Sequence, residues 1–436
     1  MSTSSETPIQ LAVLHEGQRR IYRERTSRTV VRCGRRFGKS LFFETLSEHW
    51  AMQGKRVGYF APDNKRLSES YARVLNVLEP AKKSASKNAG EIRLKKGRGN
   101  GPKGGGSIDF WTLGDPDAGR SREYDEVVID EAGMVKTGLK EIVQQSIMPT
   151  LLVTNGNILM GGTPLGVSDD SFFYEACMNQ GTEKWKEFHM PSGSNPLIPQ
   201  ATLDHFKATS EPRVWQQEYL AEFVDWRGAS FFSIDKLTVE GRGVAIPAHC
   251  DYVFAVVDSA MKDGSGNDGT AVVYCARSMY TGHPLVILDW DIVQINSDML
   301  TQWLPSVFQN LQHYSRLCRG RYGPRTYIED KASGITLNQH SARMGWPVEA
   351  IGGDITSVGK DGRALMASSP VYRGDVKLSD YALNKTMMFK QQEKNHLVTQ
   401  VTSYIVGDKN AAKRSDDLYD AFAYSVIVAL GGPEGF

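Results

Sequence analysis

Two short segments, taken in order, limit this chain more than anything else in it. Arg28-Thr29-Val30-Val31-Arg32 reads as a strand and Ser40 to Trp50 as an amphipathic helix. Between them runs Cys33-Gly34-Arg35-Arg36-Phe37-Gly38-Lys39-Ser40, which keeps the GxxxxGK[ST] spacing of a phosphate-binding loop with Cys33 at the first Gly position. Gly38 lets the backbone approach an anion, Lys39 reaches toward β- and γ-phosphates, Ser40 is placed for Mg²⁺, and the helix N-terminus offers unpaired N–H groups. About ninety residues later, Val127-Val128-Ile129-Asp130-Glu131 is an apolar strand ending in two carboxylates. Asp130 there orients Mg²⁺ through Ser40 or water, and Glu131 polarises an attacking water. Either segment alone fits a buried strand with solvated ends. Together they predict a nucleotide-binding α/β domain.

The surrounding pattern agrees. Arg56–Ala61, Ser107–Trp111, Glu126–Ile129 and Asn157–Gly161 read as further strands alternating with helices, which predicts a parallel sheet covered on both faces. Gly162-Thr163-Pro164 follows the last of these, and Thr163 is placed to sense a γ-phosphate; the tripeptide is otherwise a turn. Arg35 and Arg36 lie inside the loop, either as a charge-stabilising arginine in cis or as two exposed cations. Gln18, ahead of the first strand, has the donor and acceptor needed to read an adenine edge, or is a surface glutamine. Between Lys82 and Lys103 stand eight Lys/Arg and one acid, Glu91, ending in a glycine-rich run. That segment predicts a basic surface hairpin or loop, solvated or in contact with a phosphate backbone.

A boundary falls between about Val224 and His249, preceded by a predicted helix from Arg213 to Phe223. After it, Tyr252–Val257, Thr270–Tyr274 and Leu285–Asp289 predict an antiparallel meander. A helix from Ser297 to about Gln312, a strand Arg325–Ile328 and a last helix Asp416–Leu430 follow. Acids sit at the ends of these elements: Asp258, Glu329 with Asp330, and Asp416 with Asp417. Ser415 is placed to cap the last helix, and acids in its first turn are favoured by the helix dipole alone. Their order, however, is that of an RNase H-like nuclease, which gathers three or four carboxylates around two Mg²⁺ or Mn²⁺ ions ~4 Å apart. Five scattered cysteines without CxxC or Cys/His spacing argue against zinc and disulfides and for a reducing cytosol. A formal net charge of +1 excludes a small histone-like protein but leaves local basic patches free to act. The N-terminus has no signal-peptide pattern, and no apolar run reaches the ~18 residues a membrane span needs.

In combination, Gly34-Arg35-Arg36-Phe37-Gly38-Lys39-Ser40, Val127–Ala132, Gly162-Thr163-Pro164, Val257-Asp258, Ile328–Gly334 and Asp416–Ala421 make the chain resemble the large terminase subunit of tailed bacteriophages. The match runs from about Gln18 to Tyr424, and a phosphate loop lacking its first glycine is common in that family. The resemblance implies an ATP-driven motor that moves double-stranded DNA into a procapsid, joined to an endonuclease that cuts concatemeric DNA. It implies Gln18, Gly34, Arg35, Arg36, Phe37, Gly38, Lys39, Ser40, Asp130 and Thr163 around ATP, with Ser40 and Asp130 on Mg²⁺. Glu131 is then the catalytic carboxylate, and Arg35 or Arg36 the cis arginine. In the nuclease it implies Asp258, Glu329 and one of Asp416 or Asp417 as ligands to Mg²⁺ or Mn²⁺; successive strand residues point to opposite faces, so either Glu329 or Asp330 is the one that faces the metals. Many relatives carry a His before the Asp-Asp pair, where this chain has Ser415.

The expected plan is α/β throughout: a P-loop (ASCE-type) ATPase core over residues 1–170, a lid or linker subdomain over 171–224, a linker over 225–248, and an RNase H-like nuclease with a mixed sheet over 249–436. Implied partners are double-stranded DNA, a portal protein and a small terminase subunit. The chain is expected to be a monomer in solution and a pentameric ring on the portal, in the host cytoplasm and away from membranes. The competing readings are a DNA repair or recombination ATPase with an attached nuclease, and a nucleotide-dependent DNA-binding scaffold with a degenerate nuclease site.

Overall fold

The computed structural model describes residues 9–95, 105–135, 138–166, 171–179, 181, 184–226, 230–259, 269–280, 282–295, 299–329, 333–405 and 416–431. Two compact units emerge, Met1–Lys207 with Pro212–Asp225, and Ala208–Glu211 with Trp226–Phe436.

The first unit is built on β1 (Arg28–Cys33), β2 (Arg56–Ala61), β3 (Lys82–Ser86), β4 (Glu91–Leu94), β5 (Ser107–Thr112), β6 (Glu126–Ile129), β7 (Asn157–Gly162) and β8 (Lys186–Met190), in spatial order β3-β4-β5-β2-β6-β7-β1-β8. From β5 to β8 every pairing is parallel. Successive residues Val30 and Val31 are both fully buried, as a strand covered on both faces requires. Because β1, β6 and β7 are parallel neighbours, their C-terminal ends open on one edge, where ligands of such sheets bind. Around the strands lie α1 (Glu16–Glu24), α2 (Lys39–Met52) and α3 (Asn64–Leu78). Helix α2 is buried almost all round: Phe42, Phe43, Leu46 and Trp50 lie in one hydrophobic cluster with Val31, Tyr59 and Leu159.

Two carboxylates are buried on the same helix. Glu44 is held by Arg73 of α3, with an Nη2–Oε1 distance of 2.7 Å. Burial, and then the charge of Glu44, pushes the Glu48 carboxyl up to about 8. The unfolded chain releases that proton at a lower pH, so stability falls as pH rises from the ordinary glutamate range toward 8. Glu48→Gln is therefore expected to raise Tm by a few degrees at pH 8 and to change it less at pH 5, in a melting series across that range.

The basic segment forms the hairpin β3–β4, which joins the sheet antiparallel to β5; residues 96–104 lie outside the described part. Within residues 171–224, β8 is an integral strand of the main sheet, paired with β1. The helix expected over Arg213–Phe223 is shorter. A helical turn at Pro212–Val214 runs into a π-helical turn at Trp215–Tyr219, and the chain is irregular from Leu220. The reason lies in where the backbone polar groups go. The carbonyls of Glu218, Leu220 and Ala221 accept bonds from Arg35 N, His189 Nε2 and Arg32 Nη1, at 2.7, 2.6 and 2.9 Å. Those groups satisfy carbonyls that a continued helix would otherwise have to pair.

The second unit has a six-stranded mixed sheet: β9 (Tyr252–Asp258), β10 (Thr270–Arg277), β11 (Leu285–Val293), β12 (Arg325–Glu329), β13 (Val348–Ile351) and β14 (Val376–Leu378), in order β13-β12-β9-β10-β11-β14. The expected meander is there, β9–β10–β11 antiparallel, with β12 parallel to β9. Three helices concern the site: α4 (Leu300–Leu317), α5 (Gly359–Arg373) and α6 (Asp417–Leu430). The period of two sorts β9 between two layers. Val253, Ala255 and Val257 cluster with Leu304, Val307 and Leu311 of α4, while Phe254 and Val256 cluster with Leu418, Ala421 and Phe422 of α6. Asp258 continues the second series, so it stands on the α6 face. Ile328 packs on the α4 side and Tyr327 on the other, which puts Glu329 on the α6 face as well. With Ile328 paired to Val257, Glu329 and Asp258 end adjacent strands side by side. The last helix starts one residue later than expected, with Asp416 at the N-cap; Asp330 and Ser415 lie outside the described residues.

Candidate functional site

The first site sits at the open edge of β1, β6 and β7. The Lys39 ammonium is bonded to Asp130 and lies 2.9 Å from Glu131 Oε1. Ser40 Oγ and Tyr59 Oη donate to the other Asp130 oxygen at 2.8 and 3.0 Å, and the Glu131 N–H caps Oδ1 at 2.9 Å. Lys39 and Asp130 are only 7% and 4% exposed. Burial opposes both charges, yet each is the other's main compensation. Asp130 and Glu131 hold the Lys39 ammonium above its ordinary value, and Lys39 with the Ser40 and Tyr59 hydroxyls holds Asp130 below its own. An acidic oxygen and a hydroxyl 2.8 Å apart suit a hard cation such as Mg²⁺.

The loop itself is held from two directions. Gln18, buried on α1, donates from Nε2 to the Gly38 carbonyl at 2.9 Å and accepts from the His15 N–H at 3.1 Å. His15 Nε2 meets the Phe37 carbonyl at 3.0 Å, and the Phe37 ring is buried against the His15 ring. On the other side, Ser192 Oγ and Asn195 Nδ2 donate to the carbonyls of Arg35 and Arg36 at 2.6 and 2.7 Å. The Arg35 guanidinium pairs with Glu218, which is buried. The Arg36 backbone is left-handed, with φ 61°. The anomaly at Cys33 resolves here. Cys33 is the last residue of β1, its side chain buried in the core and its thiol pushed up to about 12 by burial. The close approach falls one residue later, at Gly34, where a Cβ would meet the Tyr219 carbonyl at 2.4 Å and Ser192 Oγ at 2.5 Å.

Glu131 occupies a left-handed turn, φ 53°, that leads into Ala132–Met134. That turn packs on the backbone after β7: a Cβ on Gly133 would lie 2.2 Å from the Thr163 carbonyl. Thr163 and the Glu131 turn are thus in direct contact. Gly133→Ala is expected to cost about 1–3 kcal/mol by denaturant titration, because backbone must shift to admit one methyl group.

The second site gathers carboxylates at the ends of β9 and β12 and the first turns of α6. Burial, followed by the like charges of Asp420, Asp417 and Glu329, drives the Asp258 carboxyl well above the ordinary range. Asp417 Oδ2 accepts the Gly269 N–H at 3.0 Å. Asp416 is bonded to Lys360 of α5. Asp420, one turn along α6 from Asp417, pairs with Arg363 of α5, and with Lys360 at 3.3 Å. The Arg363 guanidinium also lies over the Tyr424 ring, 4.6 Å from its centroid. Among the described residues, the Tyr424 hydroxyl and Arg363 Nε are buried without a hydrogen-bond partner. Among the described residues no group of three or more His, Cys, Asp or Glu side chains is close enough together to hold a metal ion. The donor set nevertheless fits divalent Mg²⁺ or Mn²⁺: oxygen ligands in excess, mutually repelling, beside an unpartnered hydroxyl.

Sequence reasoning missed Tyr59, Ser192, Asn195 and Glu218 at the first site, and Asp420, Lys360, Arg363 and Tyr424 at the second. Only Asp420 carried a readable signal, being three residues from Asp417 and so on the same helical face.

No family model and no curated protein matches the chain. Solved structures do match it. The large terminase of the thermophilic bacteriophage D6E in complex with ADP superposes with a TM-score of 0.69 at 12% identity, covering 96% of this chain and 100% of that one. A second crystal form of the D6E protein gives 0.67 at 12%, covering 96% and 99%. Its complex with ATP-gamma-S gives 0.62 at 11%, covering 94% and 98%. Across both units, then, this chain has the fold of a bacteriophage large terminase.

Proposed function

We propose that the chain is the large subunit of a phage packaging motor, hydrolysing ATP in its first unit and cutting double-stranded DNA in its second. The observation that carries this reading is the Lys39–Asp130–Ser40–Glu131 constellation at the open edge of a parallel sheet. Mg²⁺ held by Ser40 and Asp130 would neutralise charge on the phosphates. Lys39 exchanges its carboxylate partners for the β- and γ-phosphates. Glu131, its side chain 27% exposed, turns from Lys39 toward an attacking water. Arg35 or Arg36 completes the charge stabilisation, Gln18 and Phe37 fix the loop, and Thr163 receives the movement of the Glu131 turn. That both adenine nucleotides named for the D6E terminase, ADP and ATP-gamma-S, occur with this same fold supports the choice of nucleotide.

In the second unit, Asp258, Glu329, Asp417 and Asp420 are the proposed holders of two Mg²⁺ or Mn²⁺ ions. Those ions would supply water activation and leaving-group stabilisation for phosphodiester hydrolysis. Asp416 is tied to Lys360 and orients its ammonium. The DNA contacts belong to the phosphate backbone, since translocation ignores sequence, and the β3–β4 hairpin with exposed Lys83, Lys87 and Arg93 offers one such surface. Portal protein, small subunit and a ring on the procapsid complete the proposed assembly, in the host cytoplasm; no described helix is long and apolar enough to cross a membrane. The test is direct. Purified protein should release phosphate from ATP with Mg²⁺, faster with double-stranded DNA, and should linearise supercoiled plasmid in Mn²⁺ but not in EDTA. Absence of phosphate release from folded protein would reject the motor, and absence of cutting would reject the nuclease.

A further inference from the structure

The carboxylate cluster of the second unit carries its own cations, and the two differ in a way that assigns them different tasks. Both come from α5, three residues apart and so on one helical face. Arg363 is built in: its side chain is 8% exposed, it pairs with Asp420, and it is packed over Tyr424. Lys360 is at the rim. Its side chain is 41% exposed, and its ammonium spans Asp416 and Asp420. A buried planar guanidinium is costly to move, whereas a lysine has a flexible stem and a compact ammonium that water readily receives. Asp420, Asp417 and Glu329 act as like charges on Asp258, and Arg363 offsets them only in part.

We propose that Lys360 is an exchangeable counter-ion of this cluster. It neutralises Asp416 and Asp420 in the ion-free protein, gives up Asp420 when divalent ions bind, and then presents its ammonium to the phosphate backbone of the DNA being cut. Arg363 stays in place and holds Asp420 in position. This inference rests on the nuclease reading above. Lys360 therefore opposes divalent-ion binding electrostatically in the absence of DNA and contributes one phosphate contact in its presence. It is a positioning residue and does not act on the reacting atoms.

The experiment is Mn²⁺ binding to the full chain, by calorimetry or by the paramagnetic signal of free Mn²⁺, for wild type, Lys360→Gln and Asp258→Asn. Removing one positive charge at this range should tighten Mn²⁺ binding by roughly tenfold in Lys360→Gln. With Ca²⁺ replacing Mn²⁺ to prevent cutting, the same variant should bind duplex DNA more weakly, its salt slope reduced by about one. A second measurement needs no substitution at Lys360: acetylation of wild type by acetic anhydride, read by mass spectrometry, should label Lys360 several-fold more with Mn²⁺ than with EDTA, and Asp258→Asn should abolish that increase. Mn²⁺ affinity that is unchanged or weaker in folded Lys360→Gln, or labelling of Lys360 indifferent to Mn²⁺, overturns the proposal. If wild type and Asp258→Asn bind Mn²⁺ alike, the cluster is not the ion site, and the nuclease reading falls with it.

Discussion

Lys39→Ala is expected to lower ATP hydrolysis by roughly 100-fold or more while leaving Mn²⁺-dependent DNA cutting within a few-fold of wild type. The ammonium is buried, and two carboxylates balance it. Removing it therefore does two things. The terminal phosphate loses its cationic partner, and Asp130 and Glu131 are left facing each other without a counter-charge. The second effect predicts a fold penalty of about 3–5 kcal/mol for an uncompensated buried charge. Lys39→Met with Asp130→Asn should restore stability without restoring hydrolysis. Phosphate release and a denaturant titration, run on the same three proteins, separate the chemical loss from the structural one. Retention of near-wild-type ATP turnover by Lys39→Ala would remove the first site from the motor.

Asp258→Asn should act in the opposite sense on stability. The wild-type carboxyl is held above its ordinary value by burial and by three neighbouring acids. A carboxyl so placed weakens the fold as pH rises through its unfolded range, and the weakening is complete only above its folded value. The amide cannot ionise. Without divalent ions the variant should therefore melt above wild type at pH 7–8, with the difference closing toward pH 4. DNA cutting should fall by more than roughly 100-fold, since an ion ligand is lost, and ATP hydrolysis should be unchanged. Added Mn²⁺ should raise the Tm of wild type and not that of the variant. A variant that still linearises plasmid would show that Asp258 is no ligand.

How much of this was legible in the chain depends on distance. Contacts local in sequence could be read: a strand running into Gly38-Lys39-Ser40, a strand running into Asp130-Glu131, a meander ending in Asp258. The joint between the first two was also readable, because the chemistry requires Ser40 and Asp130 to meet, and they do at 2.8 Å. Cys33 looked like a defect because the pattern fixes a glycine by spacing. The fold fixes it by collision, and the collision with the Tyr219 carbonyl falls on Gly34. Nothing near Gly34 in sequence announces a partner 185 positions away. The same holds for Glu218 with Arg35, and for Ser192 and Asn195 on the loop carbonyls. Lys360 and Arg363 were invisible for a different reason: a Lys and an Arg three apart on a helix ordinarily mark a solvated face. Only the packing of α5 against α6 turns them inward.

The stitching of Glu218, Tyr219, Leu220 and Ala221 to the Gly34–Ser40 loop and its flanking strands has a practical corollary. These residues lie at the very end of the first unit, within a few positions of Asp225. They supply the carbonyl that receives Arg35 N, the acid that neutralises its guanidinium, and the wall against which Gly34 rests. A shortened version stopping at Lys207 would keep Gly34 to Ser40, Asp130 and Glu131 and lose the wall behind the loop. A piece meant to keep this loop intact accordingly runs at least to Asp225.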